Sequence, residues 1–381
     1  MTVLYLTNNT QLAGTARILL SWLVLGRDRG LRACVAAQGS GELVDRLARD
    51  GVPWVVSPMP WPGRARPWSA LREAWRVSRF ARAQGASLVH CNEHDVYPFG
   101  VLVARLMRVP IVCHVRFKLE PGFGRWAFGG WRRPAALLWT TQQQRRDSLD
   151  AVDGIVPADR QHLIRLGPDP AIFHPDGPAR ETARERFGIR AGEVAIGTAA
   201  ALRPIKRIHD FIDVVMALSS RHAGVVGLIA GGAVPGEEAY RQDVERRIRD
   251  SGLGRRLRWL GHLEPIDGFL RSLDVFVSTS EYETFGNSVA EAMACGVPVA
   301  GYVGGSVHEV IGDAGAVIPN GDVDALIQAA DTLLAGEDAR HEAGERGRRR
   351  AHGELNPAAS FEKLRAVYEG VIGVSAQRRS A

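Results

Sequence analysis

The chain has 381 residues, 45% of them hydrophobic and 24% charged, with a formal net charge of +6. That length suits two domains rather than one core, the composition excludes a disordered or fibrous chain, and the longest apolar runs break well short of the ~20 residues a membrane-spanning helix needs. The charge is uneven: residues 1–166 hold 23 Lys/Arg against 12 Asp/Glu and eight of the nine tryptophans, while the remainder holds 25 against 30.

Val3–Thr7 reads as a strand, followed by a helix from about Ala13 to Gly30 and strands at Arg32–Ala37 and Trp54–Ser57. A helix at Ser69–Gln84, a strand at Ser87–Cys91, a helix at Val96–Arg108 and a strand at Ile111–Val115 continue the series. Strands alternating with helices indicate parallel α/β winding. The chain turns through Gly167–Pro170, and after a polar stretch a second alternation begins. Its strands read as Val194–Thr198, Val225–Ile229, Leu257–Leu260, Val275–Ser278, Val297–Ala300 and Ala316–Ile318. Its helices read as Ile208–Arg221, Glu237–Ser251, Ile266–Leu273, one carrying Glu291, and Asp322–Leu334, with a last helix at Pro357–Ile372.

The expected architecture is α/β, two doubly wound Rossmann-like domains facing across a cleft. Residues 1–166 form the first domain and 167–355 the second, and 356–381 form a C-terminal helix and frayed tail, with packing back on the first domain as one option. Open sheets of this kind bind ligands outside the carboxyl ends of their strands. A basic, Trp-rich half beside an acidic half implies domains with different partners, and a basic surface suits nucleic acid, anionic lipid or a phosphorylated substrate. No nucleic-acid recognition motif is present. Cys34, Cys91, Cys113 and Cys295 show no metal-ligand spacing and lie mostly in apolar segments, which reads as plain buried thiols. The first residues lack the basic start and apolar core of a secretory signal, so a reduced, cytoplasmic compartment is expected.

The segment from Ser280 to Val299 carries the strongest chemistry. Glu291 lies eight positions after Glu283, with seven residues between them; on one helix that step is about 800°, roughly 80° past two turns, so the two would not share a face. The geometry works better with Glu283 in a loop and Glu291 two turns into a helix. Gly286, Asn287 and Ser288 then lie at the helix N-terminus, where free N–H groups and the dipole favour an anion. Such a site can hold a diphosphate with a hydroxyl-rich group on each side, one carboxylate for each. In the first half, Gly14 follows the first strand, where a glycine lets a phosphate or sugar approach the backbone.

With Ile229–Ala233, Leu260–Leu263, Leu273–Ser280, the glutamate pair and Gly304–Val310 in this order, the chain resembles retaining glycosyltransferase family 4, the bacterial sugar transferases of GT-B fold (glycosyl transferases group 1). The likeness covers most of residues 160–340 and is weaker over the first half. It implies that Glu291 binds the ribose hydroxyls of a nucleotide and that Glu283 contacts the donor sugar. Phe285, Gly286, Asn287 and Ser288 would offer backbone N–H groups to sugar and phosphate. Lys206 matches the family lysine that meets the diphosphate; the family arginine position is Ala201 here, and the nearby Arg203 is expected to take over. Arg207 is expected as a solvated charge. His114 matches the family's active-site histidine, which touches the donor sugar. Arg116 and, more weakly, His94 and His90 are candidates on the acceptor side, and Gly261 and His262 on the base side.

The implied function is a retaining, metal-independent transferase moving a sugar from a nucleotide-sugar donor to a sugar- or lipid-linked acceptor hydroxyl, in surface polysaccharide, lipopolysaccharide or glycolipid synthesis. No cofactor is expected, since the sugar nucleotide is a substrate. The rivals are a nucleotide-sugar epimerase of the same fold and an inactive nucleotide-sugar-binding homologue, which Ala201 favours. Asp322 and Asp324 imitate a metal-binding pair, yet their place marks a helix start. Mixed basic and aromatic residues over Arg116–Trp139 suit an anionic membrane surface, so attachment to the inner face of the cell membrane is a further option.

Overall fold

The computed structural model describes residues 1–12, 14–62 and 67–380. The chain forms two compact units. One comprises Met1–Leu166 with the C-terminal helix Pro357–Ser380, and the other Gly167–Asn356.

The first unit is built on seven parallel strands: β1 (Thr2–Thr7), β2 (Arg32–Ala37), β3 (Trp54–Val56), β4 (Leu88–Cys91), β5 (Ile111–His114), β6 (Ala136–Trp139) and β7 (Gln161–Leu163). Their order is β3-β2-β1-β4-β5-β6-β7. The central strands β1, β4, β5 and β6 are buried at every position, as continuous apolar runs covered on both faces must be. Leu4, Leu6, Val89, Phe99, Cys113 and Trp139 lie in its core. Phe361, Leu364 and Tyr368 of the C-terminal helix are fully buried as well.

The second unit has six parallel strands: β8 (Val194–Ala199), β9 (Val225–Ala230), β10 (Leu257–Trp259), β11 (Val275–Ser278), β12 (Val299–Tyr302) and β13 (Ala316–Ile318). Their order is β10-β9-β8-β11-β12-β13. Ile196, Phe211, Val215, Ile229, Val277 and Leu326 fill its core. In both sheets the order reverses beside the first strand, between β1 and β4 and between β8 and β11. Loops leaving there diverge to opposite faces and open a crevice at the strand ends.

Two expectations shift. The strand expected at Val297–Ala300 runs Val299–Tyr302, because Gly296 (φ 75°) and the Val297 N–H bond to Ala292 still belong to the helix end. The polar stretch after residue 170 contains a helix, Gly177–Arg186, capped by Asp176.

Candidate active site

In the second unit the β8 and β11 loops meet over the reversal point. Thr279 Oγ1 donates to the Lys206 carbonyl at 2.8 Å, and the Glu281 N–H donates to the Ile205 carbonyl at 2.8 Å. Lys206 Nζ lies 2.6 Å from Glu283 Oε1, and Ser280 Oγ donates to the same oxygen at 2.9 Å. The lysine and glutamate side chains are 17% and 24% exposed, so the pair is screened from water but reachable.

A third loop fixes the Glu283 backbone. Its N–H donates to the Gly304 carbonyl at 3.0 Å, and its own carbonyl accepts from the Ser306 N–H at 2.9 Å. Gly304 (φ 48°) and Gly305 (φ 62°) are needed there: a Cβ would stand 2.7 Å from the Ser280 and Glu283 carbonyl oxygens respectively. Phe285 is buried. Gly286, at φ 95°, starts the helix Asn287–Ala294, which has no acidic residue in its first turn and no side-chain cap. The amides of Asn287 and Ser288 thus belong to an uncapped helix start, the ordinary setting for an anion. Glu291 is half-buried in the second turn of this helix. Burial pushes the Cys295 thiol up to about 12, and the Glu291 carboxylate adds to the rise.

The β9 and β10 loops border this edge. Gly231 (φ 148°) lies so close to the β8 loop that a Cβ would fall 1.8 Å from the Ala200 carbonyl oxygen. Its N–H donates to the Gly261 carbonyl at 2.7 Å, and His262 is exposed beside it. Arg203 is exposed at the entry to the turn Pro204–Lys206. Arg207, expected as a solvated charge, is instead tied at 2.8 Å to Asp210, which also accepts from the Tyr302 hydroxyl. Asp322 caps the helix Val323–Leu334 by accepting from the Ala325 N–H at 3.0 Å. The structure therefore brings Lys206, Glu283, Phe285, Gly286, Asn287, Ser288 and Glu291 to one sheet edge, and Gly261, His262 and Arg203 to its margins.

The corresponding edge of the first unit is a buried polar knot. Glu93 accepts from the Asn8 N–H at 3.2 Å, from Asn9 Nδ2 at 2.6 Å and from Thr7 Oγ1 at 3.2 Å, and from Asn92. Burial raises its carboxyl to about 7 even though Arg116 and these bonds oppose the shift. Arg116 donates twice to Asn92, both at 2.9 Å, and burial brings its guanidinium down to about 10 despite Glu93. The C-terminal helix reaches the same region through Tyr368, whose hydroxyl bonds to His90 Nδ1 and lies 3.2 Å from the Tyr5 hydroxyl.

Three expectations need correction here. His114, expected against a donor sugar, is fully buried, stacked on Trp22 at 5.3 Å and on His90 at 5.9 Å. Burial, with Arg116 and His90 adding to it, holds its pKa well below the usual histidine value. Arg116, expected on an acceptor phosphate, is 2% exposed and committed to Asn92. The segment Arg116–Trp139 is not one surface: Phe128 and Trp139 are fully buried, Phe123 and Trp126 pack with Trp61, and only part of the run, such as Phe117 and Trp131, stays open. His94 is nearly buried, edge-on to Phe123 and Phe117. Gly14 opens the helix Gly14–Arg27; its neighbour Ala13 lies outside the described residues. Sequence reasoning missed Glu93, Asn92 and Tyr368, and the polar run Thr7–Asn9 after an apolar strand is the signal that could have pointed to a buried partner.

Residues 179–350 match the family model described as glycosyl transferases group 1, and residues 13–177 match that of a glycosyl transferase 4-like domain. The chain is 32% identical over 261 residues to 2-deoxystreptamine N-acetyl-D-glucosaminyltransferase of Streptomyces fradiae, spanning 67% of this chain and 57% of that protein. It is 26% identical to lipopolysaccharide core biosynthesis mannosyltransferase LpsB of Rhizobium meliloti (strain 1021), over 60% of this chain and 67% of the relative. Among solved structures it is similar to Anabaena Alr3699/HepE in complex with UDP and glucose, at 20% identity and a TM-score of 0.83, covering 97% and 99% of the two chains. A glycosyltransferase from Rickettsia africae ESF-5 aligns at 15% identity and a TM-score of 0.85, covering 97% and 98%.

Proposed function

The chain belongs to the glycosyl transferases group 1 family and has the GT-B fold, and from that premise we propose that it transfers a sugar from a nucleotide-sugar donor to an acceptor hydroxyl with retention of anomeric configuration. One observation carries the reading: a lysine–carboxylate pair, an uncapped helix start and a second carboxylate on that helix share the carboxyl edge of one sheet at its reversal point. In that reading the first-turn amides and Lys206 hold the diphosphate, with Arg203 at the rim. Glu291 accepts from the two ribose hydroxyls and Glu283 from hydroxyls of the sugar. The complex of the Anabaena protein with UDP and glucose supports a nucleotide donor of this kind.

The departing diphosphate takes the bonding electrons of the anomeric C–O bond. The acceptor oxygen forms the new bond on the same face and gives its proton to the departing phosphate oxygen. The protein's part is to hold the reactants and to stabilise the charge growing on the leaving group. We assign that charge to Lys206 and the helix amides, so the reading calls for no metal. The first unit takes the acceptor, a sugar- or lipid-linked alcohol, which fits surface-polysaccharide, lipopolysaccharide or glycolipid synthesis at the cytoplasmic face. His114 and Arg116 then form the buried floor under the loop after β1 rather than touching sugar.

The test is release of nucleoside diphosphate from a panel of sugar nucleotides with candidate acceptors, with the anomeric configuration of the product read by NMR. A retained configuration is expected, and Lys206→Ala should lower kcat by roughly 10²–10³-fold, the usual scale for losing one leaving-group or oxyanion partner. An inverted product, an isomerised donor formed without acceptor, or unchanged turnover in Lys206→Ala would overturn the assignment.

A further inference from the structure

The helix Pro67–Ala83 turns an unexpected face to solvent. Trp68, Leu71 and Trp75 are 79%, 41% and 51% exposed, and spacings of three and four residues place them in one stripe. Arg72, Arg76, Arg79 and Arg82 are exposed on the same side. At the angular step of a helix these seven residues fill an arc of about 140°. The opposite arc, with Ala70, Ala74, Val77, Ser78 and Ala81, is buried. Small residues, with Val77 and the partly buried Phe80, thus attach the helix to its domain, and Trp68, Leu71 and Trp75 stay largely outside that packing. Arg79 lies 4.8 Å over the Trp75 ring. Glu73, the one carboxylate among six arginines between Trp61 and Ala83, is taken by Arg76.

We propose that this face docks on an anionic phospholipid bilayer. The two indoles and Leu71 would enter the boundary between headgroups and acyl chains, where tryptophan is favoured, and the arginines would meet lipid phosphates while their stems lie along the apolar stripe. From the middle of the stripe to the helix end, Arg72, Arg76, Arg79 and Arg82 form a row of cations on this face, which suits an anionic plane. The inference shares with the functional reading only the idea of a membrane-borne acceptor. Its test uses neither donor nor acceptor, so the two can fail separately.

The full chain should float with vesicles of mixed phosphatidylglycerol and phosphatidylcholine, and not with pure phosphatidylcholine. Binding should weaken with salt. The variant Trp68→Ser/Leu71→Ser/Trp75→Ser should bind the anionic vesicles at least roughly tenfold more weakly, and Arg72→Gln/Arg79→Gln should lose most of the salt-sensitive part. An unchanged thermal midpoint would show that both variants fold. No flotation with anionic vesicles, wild-type binding by the triple variant, or a dimer in solution that the triple variant abolishes would each overturn the proposal.

Discussion

Glu93, His90 and His114 hold three ionisable groups in the core of one sheet, and their protonation pulls stability in opposite directions. The histidines, held well below their usual value chiefly by burial, remain neutral in the native state while the unfolded chain takes up two protons below about pH 6.5. That stability is present at neutral pH and is lost on acidification. Glu93, raised to about 7, binds its proton more tightly when folded; its contribution is present at low pH and is lost as pH rises through 7. Between about pH 4.5 and 6.5 the unfolded state therefore binds one net proton more, and stability should fall by about 1.4 kcal/mol per pH unit on acidification. His94, His162 and His209 are also held low and act in the same sense. Thermal unfolding should show stability rising from pH 5 and levelling off above about pH 7. His114→Phe, which keeps the stack on Trp22, should flatten the acid limb; an unaltered limb would remove His114 from this role. None of this was legible from sequence, since a histidine at a strand end looks the same whether its ring faces a substrate or a tryptophan.

At the scale of elements, the candidate site depends on glycines that let three loops approach one another. Gly305→Ala would push a methyl group against the Glu283 carbonyl and force a non-glycine residue to φ 62°, at a cost of about 1–2 kcal/mol. Since Glu291 stands on a separate helix, the expected outcome is a fall in kcat of roughly tenfold or more, with nucleotide affinity nearly kept. Equal losses in both would show that the turn supports the whole site rather than Glu283. The glutamate spacing made the loop and helix placement readable, because eight residues on one helix do not return to the same face. Other elements were hidden. The helix Glu337–Gly353 buries Ala343, Gly344, Gly347 and Ala351, and a stripe of alanine and glycine gives no hydrophobic period to detect. Gly344 packs so closely that a Cβ would lie 2.1 Å from the Gly296 carbonyl.

At the scale of the molecule, the alternation of buried strands and amphipathic helices carried the fold class, since a parallel sheet covered on both faces needs long apolar strands and crossover helices. Ordered motifs at successive strand ends carried the second unit's site for the same reason: strand ends and the reversal point are fixed by topology. In the first unit the polar contacts come from distant segments, with Tyr368 meeting His90 across 278 residues, and no local pattern records such a meeting. The measurement that bears most directly on the account is calorimetric titration of nucleoside diphosphates into the wild-type chain and Glu291→Ala. Saturable one-site binding of at least one diphosphate is expected, weakened about ten- to a hundredfold in the variant, the scale of roughly 1.4–3 kcal/mol for hydrogen bonds to a charged group. Equal affinity in the two proteins would contradict it.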